Sequence, residues 1–387
     1  MAAENRRGEQ CFTYSQMNMI FNARIFWRRF TTWIRVYIIS RYAGIGTAED
    51  AFGRIYIEAT DFGEMIRIIF GRNLSNRYAQ LMRRFTIGLR ELINAEIRDD
   101  REAVRQRVDD LYGITGDIAE FLASINPYLD EAEWRTMLGT YLQYTIEEAN
   151  SFESGNYSRD IEIFDRLTEL TNRMGDIFAQ ALYNYITSGR QCEDRLPSDQ
   201  CITYDQMNQI YEIRMFWFEL TTWIRAYMLS RYAGLGNQAE VLERLKQVPV
   251  NYINMVRQVF GPGVDMERAF QLINTYIDLI VRLISAHQAE KTDEINRITR
   301  LLYQNADERA AFLAAINPYW DEAEWRTRFY DYLRGTIDET TTFLARDYAR
   351  NLDIFSTLLD QADSTSDYYA SGLFRYILSQ KDRDASA

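Results

Sequence analysis

Histidine is almost missing from this sequence: His287 is the only one in 387 residues. That scarcity excludes most nucleophilic chemistry, because a serine or cysteine nucleophile needs a neighbouring imidazole to take its proton. The counterpart of His287 in the first half is Glu96 or Ile97, so no such pair occurs twice. The same lack leaves no HExxH zinc motif and no Glu-x-x-His pair of the kind that holds two metal ions inside a helical bundle. P-loop and EF-hand patterns are absent as well. Three cysteines, Cys11, Cys192 and Cys201, supply neither a disulfide framework nor metal-ligand spacing, so a reducing compartment is expected, with intermolecular disulfides open after assembly. Only 5 prolines and 19 glycines argue for long unbroken elements over many short strands.

Lysine is scarce too. Lys246, Lys291 and Lys381 are the only three among 44 basic residues, so 41 are arginine. A GC-rich genome accounts for such a bias. Together with 26 tyrosines it also suits permanent protein contacts, since arginine stacks on rings and forks onto carboxylates. The net charge of −12 disfavours nucleic acid as a partner, because phosphate contacts need a basic surface. No apolar run approaches the roughly 18 residues of a membrane span. The stretch Trp33–Ile39 comes nearest and is interrupted by Arg35. Met1 to Gln10 is polar, with no apolar core of a signal peptide. Synthesis in the cytoplasm, followed by assembly on a spore or cell surface, is the expected location.

What is present is a repeat. Cys11–Gly46 and Cys201–Gly236 share 22 of 36 residues at an offset of 190, and Ala119–Thr136 and Ala310–Thr327 share 15 of 18 at an offset of 191. Such self-similarity is the mark of a tandem duplication, with units 1–189 and 190–387 joined through Ser188–Gln200. Thr13-x-x-Gln16 and Thr203-x-x-Gln206 fit capping boxes, as do Asp130-x-x-Glu133 and Asp321-x-x-Glu324. Ile20, Trp27, Ile34 and Ile38 then follow helical spacing. Gly44 and Gly46, like Gly234 and Gly236, stand where left-handed caps end a helix. The fold class is therefore all-α: two tandem four-helix-bundle-like repeats. Long helices fall near 14–43, 73–98, 131–151 and 157–187, with shorter connecting helices near 48–70 and 101–124.

Chemistry is concentrated on the first helix of each repeat. Arg24, Thr31 and Arg35 share one face and recur as Arg214, Thr221 and Arg225. The rest of that helix is apolar nearly all round, which places it centrally. Buried arginines need partners. The acids at equivalent places on the last helix are Glu162 or Asp353 and Asp176 or Asp367. Two readings follow: an internal network that sets helix register, or a ligand- or anion-binding cleft built on Arg24, Thr31, Arg35, Asp176, Arg214, Thr221, Arg225 and Asp367. The acids Asp130, Glu131 and Glu133 lie at a helix start, where the dipole favours negative charge.

The block NPYxDEAEWR, with the upstream pattern Trp27, Trp33, Arg35, Ser40, resembles a helical-bundle family of spore-forming Firmicutes, ferritin-like in appearance and without an assigned activity. The likeness spans most of each half, here in tandem. Members of that family place Glu and His one and three residues after the first tryptophan. Here those positions are Arg28 and Phe30, then Phe218 and Leu220, so a metal site of that kind is not expected and no cofactor is implied. The resemblance implies a role in sporulation and assembly.

The expected function is therefore a non-enzymatic structural or self-assembling protein, a coat, appendage or filament subunit whose partner is itself. A ligand-binding bundle and a carboxylate-only metal site are the other two readings. Positions that are polar in one copy and aromatic in the other mark candidate interfaces: Arg28 against Phe218, Met137-Leu138 against Arg328-Phe329, and Gly139 against Tyr330.

Overall fold

A computed structural model describes residues 11–187 and 201–386; Cys192 and the linker Ser188–Gln200, like the segment Met1–Gln10, lie outside them. Among the described residues are twelve α-helices and one pair of two-residue strands. The helices are α1 Tyr14–Tyr42, α2 Ala48–Phe70, α3 Arg72–Ile97, α4 Arg101–Ile125, α5 Glu131–Glu153 and α6 Tyr157–Thr187. They are followed by α7 Tyr204–Ala233, α8 Gln238–Phe260, α9 Met266–Gln288, α10 Thr292–Ile316, α11 Glu322–Leu344 and α12 Tyr348–Ser386. The fold is all-α. The chain divides into two units, residues 18–194 and residues 195–387, the second joined by the chain up to Met17.

The two helices expected to be short connections, α2 and α4, run for 23 and 25 residues, as long as α5 with 23. Each unit thus has six helices of bundle length. At Gly63 the bare backbone lets the Ser75 hydroxyl donate to the Gly63 carbonyl at 2.7 Å.

Helix boundaries follow the caps. Thr13 and Gln16 close a reciprocal box, with Thr13 N–H donating to Gln16 Oε1 at 2.8 Å and Gln16 N–H to Thr13 Oγ1 at 3.3 Å. Thr203 and Gln206 form the same box. Asp130 and Asp321 accept from the N–H three residues on, but their boxes are only half formed. Glu133 turns to Arg173, Glu324 to Arg328, and the Asp321 N–H donates to the Tyr368 hydroxyl at 2.7 Å. Gly44 and Gly234 adopt the left-handed conformation, with φ of 65° and 68°, whereas Gly46 and Gly236 do not.

α1 and α7 are buried on nearly every face, as helices without an amphipathic stripe must be. Around them the tryptophans pair alike: Trp27 meets Trp134 at 6.3 Å between rings, and Trp217 meets Trp325 at 6.1 Å. In the second unit α12 packs back on α7 and closes the bundle. One helix among the described residues, α9, and not the stretch Trp33–Ile39, is long and apolar enough by composition to cross a membrane; 56% of its most apolar stretch is buried inside the protein. That is the behaviour of a core helix, and the chain has no clear membrane span.

The strands are β1, Cys11–Phe12, and β2, Ile202–Thr203. They pair antiparallel, Phe12 opposite Ile202 and Cys11 opposite Thr203. Phe12 and Ile202 are equivalent positions of the repeat, so like pairs with like. The Phe12 ring lies 5.9 Å from Tyr204, and Tyr14 packs edge-on to Phe374 at 5.4 Å. The head of the first repeat thus packs on the unit built by the second. Cys201, buried beside this pair, is disulfide-bonded. Three cysteines make no framework, but they do allow one pair.

Candidate functional site

The arginines of α1 and α7 are buried, as their spacing implied, and the structure assigns their partners. Arg24, 3% exposed, donates through Nε to Asp176 Oδ1 on α6 at 2.5 Å. Arg214 meets the equivalent Asp367 on α12 through Nη2, at 2.5 Å. Thr31 donates to the Trp27 carbonyl at 2.8 Å and lies 2.9 Å from the Tyr141 hydroxyl. Thr221 repeats this with Trp217 and Tyr332, at 2.8 Å each. Within each unit the three predicted residues of the central helix are therefore tied to the helices that follow.

Arg35 and Arg225 correct the sequence-based assignment. Glu162 is exposed and serves Arg159 and Arg166. The partner of Arg35 on α6 is Asp160, held by a two-pronged fork at 3.0 and 2.7 Å, and a second carboxylate, Glu148 of α5, closes in at 2.5 Å. Arg225 binds the equivalent Glu339 of α11. Where the first unit has Asp160 the second has Asn351, whose Oδ1 accepts from Arg225 at 3.1 Å while its Nδ2 donates to the Glu339 carbonyl at 2.8 Å. A ring backs each guanidinium, Phe164 at 4.7 Å and Phe355 at 4.4 Å. Glu148 and Glu339 were missed because they sit one helix earlier than expected. Their signal was a glutamate held at the same place in both copies, among the buried residues of an amphipathic helix.

The two clusters differ in charge. Burial works against the charge of Arg35, but Asp160 and Glu148 together outweigh it and hold the guanidinium protonated. Burial pushes Glu148 up to about 7, against the pull of Arg35 and with the negative charge of Asp160 behind it. In the second unit burial outweighs the single carboxylate and lowers Arg225, and burial likewise raises Glu339. Neither cluster exposes a charge to a substrate: the side chains of Arg35, Glu148 and Asp160 are at most 4% exposed. The arrangement can fix the register of three helices, and it reads as the internal network, not the cleft.

No group of three His, Cys, Asp or Glu side chains that could hold a metal comes together among the described residues. Arg28, Phe30, Phe218 and Leu220 all lie in the core. That also corrects the interface candidates. Arg28 and Phe218 are buried, as are Met137, Leu138 and Phe329, so these differences between copies are matters of packing. Arg328 pairs with Glu324, and Tyr330 donates to Asp307 at 2.8 Å.

No protein-family model matches the chain, and neither a curated protein nor a solved structure does.

Proposed function

We propose that the chain is a non-enzymatic structural protein that assembles with copies of itself, of the coat, appendage or filament kind. The observation that carries this reading is the pairing of β1 with β2. The head of one repeat finds its packing on the unit built by the other, so the natural neighbour of a repeat is another repeat. That pairing is closed within one chain, as an isologous contact is, and growth beyond one chain needs a second face. The outer side of α2 offers one. Ile57 and Ile68, 48% and 77% exposed, stand eleven residues apart on one helix face, where the second repeat has Gln247 and Gln258. The disulfide at Cys201 supports an assembly that works outside a reducing cytoplasm, and the likeness to a family of spore formers favours a spore.

Sedimentation of the full chain from about 1 to about 100 µM tests this, since an association driven by mass action grows with concentration. The expected result is larger species that the double substitution Ile57→Gln, Ile68→Gln suppresses. A single species of one chain throughout would defeat the reading.

A further inference from the structure

The second unit has an apolar cleft. It is walled by Phe216, Trp217, Tyr252, Phe312 and Phe329, with Ala269 and Arg309 set into it. Its empty space is about 360 Å³ with the mouth included, of which about 30 Å³ admits the centre of a water-sized group. That is room for one or two waters, or for the edge of a flat or slender body.

Two substitutions between the copies create it. Ala269 stands where the first copy has Tyr78, whose buried ring lies 5.3 Å from Phe62 and 6.3 Å from Phe121. Those two residues are the equivalents of Tyr252 and Phe312, so a tyrosine fills in one unit the space that an alanine leaves in the other. Arg309 stands where the first copy has Ile118. An isoleucine belongs in such a wall; a guanidinium does not.

Arg309 is 8% exposed. Its Cζ lies 4.4 Å from the ring centres of both Tyr276 and Phe329. Among the described residues no carboxylate pairs with it, and its Nε is buried without an acceptor. Arg24, Arg35, Arg214 and Arg225, buried as well, each have an acid in reach. Two rings attract a cation by roughly 1–2 kcal/mol each at best, less than the several kcal/mol that desolvating an ion costs. Burial accordingly pushes Arg309 down to about 10, with the Tyr276 and Tyr332 hydroxyls acting the other way.

We infer that this cleft binds a small monocarboxylate on an apolar body, its carboxylate on Arg309 and its body between the aromatic walls. A carboxylate matches one guanidinium in charge and in fork geometry. A phosphate dianion would keep an uncompensated charge against apolar walls. The site is independent of the assembly reading and of the α1 and α7 networks.

Calorimetric titration of the full chain with benzoate, octanoate and the neutral benzyl alcohol tests it, alongside thermal unfolding. Saturable binding of benzoate or octanoate is expected, with benzyl alcohol about tenfold weaker or worse, the worth of a charged hydrogen bond. Arg309→Ile, the first copy's solution, should weaken the carboxylate by about ten- to a hundredfold while raising the melting temperature. Ala269→Tyr, which leaves the arginine in place, should abolish binding. No saturable binding of either carboxylate up to about 10 mM, an affinity weaker than about −3 kcal/mol, would overturn the proposal. So would equal binding by Arg309→Ile, or an Arg309→Ile protein that is less stable and an unmodified protein that shows no preference for the anion, because the guanidinium would then be a packing element held by its two rings.

Discussion

The two units solve one problem, a buried arginine on a central helix, with different charge. The first surrounds Arg35 with two carboxylates; the second gives Arg225 one carboxylate and an amide. Geometry is kept and net charge is not. A fork of Asp160 onto the guanidinium leaves Glu148 in excess, and that excess titrates near neutrality. Asn351 instead bonds the backbone of α11, so it ties helices together without adding charge. At a second position the sign changes: Arg29 pairs with Glu58 in the first unit, while its equivalent Glu219 pairs with Arg244, a residue one turn before the Glu58 equivalent Val248. At these positions duplication keeps an opposite charge beside the ion, not the identity of the group that supplies it.

The largest effect should come from removing the only carboxylate of the second cluster. Glu339→Gln leaves Arg225 without an acid and should cost about 3–5 kcal/mol. Glu148→Gln leaves the Asp160 fork intact and should cost about 1 kcal/mol or less. Hydrogen exchange of α11 and α5 would show the contrast, and equal losses in the two would break it.

Next is a dependence on pH that Glu148 gives the first unit. Glu148 is an acid whose folded pKa, about 7, lies above the roughly 4.3 of an unfolded chain. The folded state therefore holds this proton more tightly. The group's contribution is most favourable below about pH 4 and is lost as pH rises to about 7, on the order of 3 kcal/mol, with no change above that. The difference in urea midpoint between the unmodified protein and Glu148→Gln should follow that slope. A difference that does not vary between about pH 4 and 8 would mean that Glu148 ionises normally.

The smallest contrast lies where α1 meets α6. A Cβ on Gly175 would come within 2.5 Å of Arg24 Cα, whereas its equivalent in the second unit is Ser366, whose hydroxyl donates to the Arg214 carbonyl at 2.9 Å. Gly175→Ser should destabilise by about 1–3 kcal/mol through overpacking. Ser366→Gly should cost about 1 kcal/mol for the lost hydrogen bond. Chemical denaturation of the two variants checks the order.

Much of this was legible beforehand. The all-α class, the central first helix, the Thr13 and Thr203 boxes and the burial of Arg35 and Arg225 follow from spacing and from the comparison of the copies. Asp176 and Asp367 were placed correctly as acids facing the first helix. Asp160 was passed over for Glu162 because two positions on a helix are enough to move a side chain from core to solvent, and helical phase is uncertain by that much near a start. Glu148 was invisible because its helix was read for its caps and not for a buried charge. The cleft escaped for a different reason. Arg309 and Ala269 are unremarkable alone, and only the knowledge that Tyr78, Phe62 and Phe121 touch reveals that one alanine empties the space among them.

Phe12 and Ile202 are neighbours in a strand pair but are made 190 residues apart. At about 5–20 residues per second, a ribosome needs roughly ten to forty seconds to make the chain between them. Through that interval the ring of Phe12 has no cover and the β1 backbone no partner, however well the first bundle has folded. The head thus gains its strand partner only when the second repeat begins to emerge, and an uncovered Phe12 marks a chain whose translation stopped within the first repeat.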